Sequence, residues 1–94
     1  MRRNYDDPVY KDWRKKVYKR DGFKCQMPQC KSNYRLQAHH IKKWSSAAAL
    51  RYEVDNGITL CRECHEKVNG FESHYEHIFS TIVSQTNAKI RKST

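Results

Sequence analysis

The sequence predicts a small α+β domain: a two-stranded hairpin and a short helix held by a four-cysteine clamp, with a further helix at each end. Three observations predict it. Two close cysteine pairs, Cys25-x4-Cys30 and Cys61-x2-Cys64, bracket two short β-prone segments. Hydrophobic residues recur at helical spacing before the first pair and after the second. Only 37% of the 94 residues are hydrophobic, so the core is thin and a chain of this size needs a staple. The length is that of one domain, spanning residues 1–94.

The elements follow in order. Asp7-Pro8 is a helix start, with aspartate as the cap and proline at the first helical position. Val9, Trp13 and Val17 then recur every fourth residue beside Tyr10, and Asp21-Gly22 ends the run, giving a helix over 8–20. The core follows at 23–70. Phe23–Lys31 contains Pro28 and the first cysteine pair, and Leu36–Ile41 alternates as a strand. Residues 42–53 connect, with one or two helical turns in Ser46–Leu50. Asp55-Asn56-Gly57 is a turn and Ile58–Leu60 a second strand, so the two strands form an antiparallel hairpin. From Arg62 to Val68 the pattern is helical, and Asn69-Gly70 breaks it. Phe71, Tyr75, Ile78, Phe79 and Ile82 predict a helix over 71–87 whose apolar residues are core. A basic tail over 88–94 follows.

Nineteen Lys and Arg against ten Asp and Glu give a net charge of +9, and mean hydropathy is −1.04. The longest apolar run is Ala47–Leu50, far short of the roughly 20 residues of a membrane span, so no membrane association is expected. The basic N-terminus has no apolar stretch behind it, so no secretion signal is expected and the cytoplasm is the expected location. Residues 1–24 hold nine Lys and Arg against four Asp, and this surplus points to an acidic partner, above all nucleic acid. Arg14, Lys15 and Lys19 on the first helix, and Lys42 and Lys43 after the first strand, are the candidate phosphate contacts.

The four cysteines admit three disulfide pairings. Each close pair also forms a knuckle able to present two thiolates to one tetrahedral ion, and two knuckles make a structural zinc site of Cys25, Cys30, Cys61 and Cys64. The even pairing and the missing secretion signal favour zinc. A redox reading of Cys61-x2-Cys64 wants a βαβ context that the pattern lacks. Among the five histidines, His39 and His40 are neighbours on the first strand and therefore point to opposite faces. One can bind a metal while the other reaches a substrate. His65 directly follows Cys64 at the start of a helix, so the zinc that fixes the helix also fixes His65. His74 and His77 lie on the polar flank of the last helix and are read as non-catalytic.

Taken together, Cys25-x4-Cys30, Leu36-Gln-Ala-His-His-Ile41 and Asp55-Asn-Gly-Ile-Thr-Leu-Cys-Arg-Glu-Cys-His65 resemble the zinc-bearing branch of the HNH (His-Asn-His) endonucleases, and the chain as a whole resembles the small stand-alone HNH proteins of phages and prophages. The resemblance covers about residues 23–70. It implies a ββα-metal core and a metal-dependent DNA endonuclease that hydrolyses phosphodiesters, with strand nicking as the expected outcome. It also implies the roles. His40 is the general base, His39 and His65 hold one catalytic divalent metal (Mg, Mn, Ni, Co or Zn), and Asn56 keeps loop and hairpin in shape so that the base is oriented. Many members carry aspartate where this chain has His39. Two imidazole ligands favour transition metals over Mg. DNA is the implied partner, and phage packaging (terminase) proteins are a further one. The alternatives are a non-catalytic zinc module that binds nucleic acid and a phage packaging adaptor.

Overall fold

The computed structural model describes residues 7–42 and 48–93. Along the chain come α1 (Pro8–Arg20), β1 (Leu36–His40), β2 (Gly57–Cys61), α2 (Arg62–Val68) and α3 (Glu72–Ser93), with single 3-10 turns at Ala48–Leu50 and Val54–Asn56 between the strands. The strands pair antiparallel, Leu36 opposite Cys61 and His40 opposite Gly57. α2 starts directly where β2 stops, which makes the ββα unit of an α+β fold. No helix among the described residues is long and apolar enough to cross a membrane.

The hairpin is the middle of three layers. Every residue of β2 is buried, because α1 covers one face and α2 with α3 cover the other. Ile58 and Leu60 point into the larger cluster with Cys25, Ile41, Cys61, Cys64, Val68, Phe79 and Val83. Gly57 and Thr59, alternating with them, face α1.

α1 is built as its sequence demands. The Asp7 carboxylate accepts from the Val9 N–H at 2.9 Å, and Pro8 takes the first position, where no N–H is needed. At the other end Gly22 adopts φ +67°, the Gly22 N–H donates to the Lys19 carbonyl and the Phe23 N–H to that of Tyr18. That pair of bonds is the Schellman closure. The buried stripe is Tyr10, Trp13 and Val17. Val9, expected in the stripe, faces outward instead, because the i, i+3, i+7 line through Tyr10 is the one that meets the hairpin. The approach is close. A Cβ on Gly57 would lie 2.6 Å from both the Trp13 ring and a Val17 methyl.

A buried ion pair locks this layer. Arg20 and Asp21 meet through two parallel N–H···O bonds of 2.8 Å, with both side chains almost fully enclosed. Arg20 also donates to the carbonyls of Val54 and Gly57 at 2.7 Å, and Asp21 accepts from the Thr59 N–H at 2.9 Å. Asp21→Ala leaves a guanidinium buried beside an unanswered amide, and loss of one partner of such a pair costs about 3–5 kcal/mol. Urea denaturation is expected to show that loss. A midpoint unchanged from the wild type would mean that the pair is solvated.

α3 differs from expectation at both ends. The helix runs to Ser93, taking in most of the stretch expected as a basic tail, because nothing after Gly70 breaks it. Its seam is Phe79 and Val83, flanked by Tyr75 and Ile82, whereas Phe71 and Ile78 are exposed. Lys42 pairs with Glu76, and Asn87 donates to Asp55 at 2.9 Å, tying the helix to the inter-strand connection. The strands run one residue differently from expectation: Ile41 follows β1, while Gly57 and Cys61 join β2.

Candidate active site and metal centre

The four cysteines come together as the spacing implies. Their Sγ atoms all lie within 4.8 Å of one another, close enough to hold one metal ion. All four thiols are free, so no disulfide forms among them. The first knuckle is shaped by backbone bonds. The Cys25 N–H donates to the Ser32 carbonyl at 2.8 Å and the Cys30 N–H to that of Met27 at 2.9 Å, with Gln29 in the left-handed region between them. The Gln26 N–H donates to the Thr59 carbonyl, which pins the knuckle to β2. The second knuckle is the β2–α2 junction itself, with Cys61 at the N-cap position of α2 and Cys64 in its first turn. Burial pushes the Cys25 and Cys64 thiols up from their ordinary value, while a hydrogen bond to the Ser32 backbone holds that of Cys30 down. Thiolates in so enclosed a place call for a cation.

His39 and His40 are both buried and lie on opposite faces of β1. His39 faces the α2–α3 layer. Its ring meets the His65 ring edge-on, centroids 5.5 Å apart, and the Phe79 ring at 5.6 Å. Imidazoles are neutral ligands, and two of them brought together from a strand and a helix make a donor pair suited to a divalent transition metal. His65 sits one residue after Cys64, so the cysteine cluster and this pair share the start of α2.

His40 faces α1. Its ring stacks on Trp13 with centroids 4.1 Å apart and planes 12° from parallel. Its Nε2 lies 2.9 Å from the Arg51 carbonyl. A carbonyl only accepts, so Nε2 carries the proton and, in the neutral ring, Nδ1 is the basic nitrogen.

Asn56 is buried at the end of the inter-strand connection. Its Oδ1 accepts from the Lys42 N–H at 2.9 Å, and its Nδ2 donates to the Leu50 carbonyl at 3.2 Å. Its own carbonyl accepts from the Ile41 N–H at 2.8 Å. One side chain thus joins the exit of β1, the 3-10 turn at 48–50 and the entry to β2.

Of the candidate phosphate contacts, Lys15 and Lys19 are exposed on α1, and Arg14 lies over the Tyr10 ring at 5.7 Å. Lys42 is exposed but engaged by Glu76. Lys43 falls outside the described residues, as does Trp44.

Two features beside the site did not emerge from the sequence pattern. Trp13 registers there only as a core position, and Arg20-Asp21 only as a helix end. The signal available was chemical: a buried indole N–H needs an acceptor. Trp13 Nε1 donates to the Glu53 carbonyl at 2.8 Å, 40 residues away.

Comparison with protein families matches the HNH endonuclease model over residues 25–71, half of the chain. No curated protein and no solved structure gives a significant match. The match begins at the first clamp cysteine and ends just beyond α2, so it spans both knuckles, both strands, the two strand histidines, Asn56 and His65. With that stretch folded as a ββα unit around four clustered cysteines, the chain belongs to the HNH endonuclease family.

Proposed function

We propose that this protein is a metal-dependent DNA endonuclease that nicks one strand at a time, with His40 as general base. The observation that carries the reading is the placement of the two β1 histidines on opposite faces, His40 against Trp13 and His39 against His65. A neutral His40 has Nδ1 as its basic atom, buried on the α1 side of the strand, and His39 meets His65 on the other.

Cys25, Cys30, Cys61 and Cys64 hold a structural zinc, which fixes the start of α2 and with it His65. His39 and His65 hold a catalytic divalent cation, which when bound supplies positive charge to a phosphate oxygen and to the departing 3′-oxygen. His40 takes a proton from the attacking water at Nδ1, and the Arg51 carbonyl keeps the opposite nitrogen protonated. The new bond joins water oxygen to phosphorus, the P–O3′ bond breaks, and the products carry 5′-phosphate and 3′-hydroxyl ends. Asn56 holds the connection that follows His40, so that base and metal ligands keep a fixed relation. Arg14, Lys15 and Lys19 contact backbone phosphates and confer affinity with little sequence preference. One base and one metal cut one strand. The sequence resemblance to phage and prophage proteins makes a packaging complex the setting to examine for partners.

The test is cleavage of supercoiled plasmid by zinc-loaded protein across Mg, Mn, Ni and Co, with His65→Ala alongside. Nicking is expected with the transition metals ahead of Mg, and His65→Ala is expected to need far more metal for the same rate. Folded protein that shifts DNA but cuts with no metal would overturn the reading in favour of a zinc-stabilised binding module.

A further inference from the structure

We infer that Trp13, on a helix outside the segment the family model matches, is a positioning residue for His40, so that α1 is part of the catalytic apparatus. The inference rests on the reading of His40 as the base.

Four observations converge on Trp13. Its ring lies flat against the His40 ring at 4.1 Å, so imidazole rotation about χ2 would drive one edge of His40 into the indole. Its Nε1–H holds the Glu53 carbonyl, and Arg20, two turns on in the same helix, holds the carbonyl of Val54. Residues 53 and 54 are thereby fastened to α1 just after Arg51, whose carbonyl orients Nε2 of His40. Beside that N–H, the Cε2–Cζ2 edge of the indole is fixed against Gly57, where no side chain fits, and Gly57 is the residue paired with His40 across the hairpin. Trp13 therefore bounds one face of the base, anchors the segment that supplies its hydrogen-bond acceptor, and rests on the strand that positions its backbone. Only 2% of it is exposed, so it is itself held without freedom.

A base displaced by about 1 Å can cost ~10²-fold in rate while leaving substrate affinity alone. The expected result for Trp13→Leu is a kcat lower by about that factor, with KM for DNA and zinc content unchanged. Trp13→Phe keeps a flat ring against His40 but loses the Glu53 bond and the indole edge that meets Gly57, so its kcat is expected to fall between those of the wild type and Trp13→Leu. A second readout does not depend on cleavage. In histidine-labelled protein at mildly alkaline pH, the indole should shift the His40 ring protons upfield by ring current. That displacement should survive in Trp13→Phe and vanish in Trp13→Leu.

A folded Trp13→Leu that cleaves as fast as the wild type overturns the inference and leaves the nuclease reading standing. A wild type that does not cleave overturns the nuclease reading, and the ring-proton shifts still decide whether Trp13 holds His40. If Trp13→Leu does not fold, the wild-type spectrum with Trp13→Phe carries the test. His40 protons at ordinary positions in both would overturn the inference.

Discussion

Cys64→Ser is expected to unfold the domain, and chelation of the zinc proposed for the clamp is expected to do the same to the wild type. The core that remains without the clamp is small. α2 has seven residues, too few to persist alone, and it carries two clamp cysteines at its start, Cys61 at the N-cap position and Cys64 in its first turn. Cys25 and Cys64 contribute to the larger hydrophobic cluster as well as to the clamp, so a metal held there would be continuous with the core. A structural zinc supplies about 10–16 kcal/mol of apparent binding energy at neutral pH. Whole domains are stable by only about 5–15 kcal/mol. Serine offers an oxygen in place of a thiolate, a poor exchange at a sulfur site. The measurement is a thermal melt followed by circular dichroism, with zinc quantified on the same sample. A cooperative transition should be present with one zinc per chain and absent from the variant. Since protons compete with metal for the thiolates, the transition should also weaken on acidification, the more so because burial strengthens proton retention at Cys25 and Cys64. A cooperative melt without metal would show that hydrophobic packing alone carries the fold.

How much of this was legible in the sequence depends on the range of each interaction. The clamp was legible because close cysteine pairs form local knuckles, and two knuckles have one economical way to combine. The opposite faces of His39 and His40 were legible because strand periodicity is two. α1 and its caps were legible because Asp7, Pro8 and Gly22 act within one turn of where they stand. What covers each face was not legible. Periodicity placed Trp13 inside but could not say that its ring would meet His40, 27 positions on, since both residues satisfy the same pattern against any apolar neighbour. The same ambiguity put Val9 inside and Tyr10 beside it, when the hairpin takes Tyr10. Arg20-Asp21 looked like a charged helix end. Its burial follows from β2 lying beneath α1, which only the tertiary arrangement determines. Phe71 and Ile78 continue a helical stripe whose neighbours end at Tyr75, Phe79, Ile82 and Val83.

His40→Ala is expected to lower nicking by about 10²–10⁴-fold, the usual worth of a positioned acid–base group. The substitution is not silent for stability, because His40 fills the space against Trp13 and its loss leaves a gap beside the indole. A cost of about 0.5–3 kcal/mol follows from ordinary buried truncations, well inside what the zinc clamp supplies. His40→Gln separates the two effects. Glutamine occupies more of the site and can donate to the Arg51 carbonyl, yet its amide is not a base at neutral pH. It should therefore melt closer to the wild type and cleave no better than the alanine variant. DNA affinity should persist in both, since Arg14, Lys15 and Lys19 lie on α1 and are untouched. The decisive pattern is a rate that tracks the missing base and not the melting temperature. Should His40→Gln restore cleavage along with stability, His40 would be a packing residue, and the proton acceptor would have to be sought on the other face of β1, beside His39.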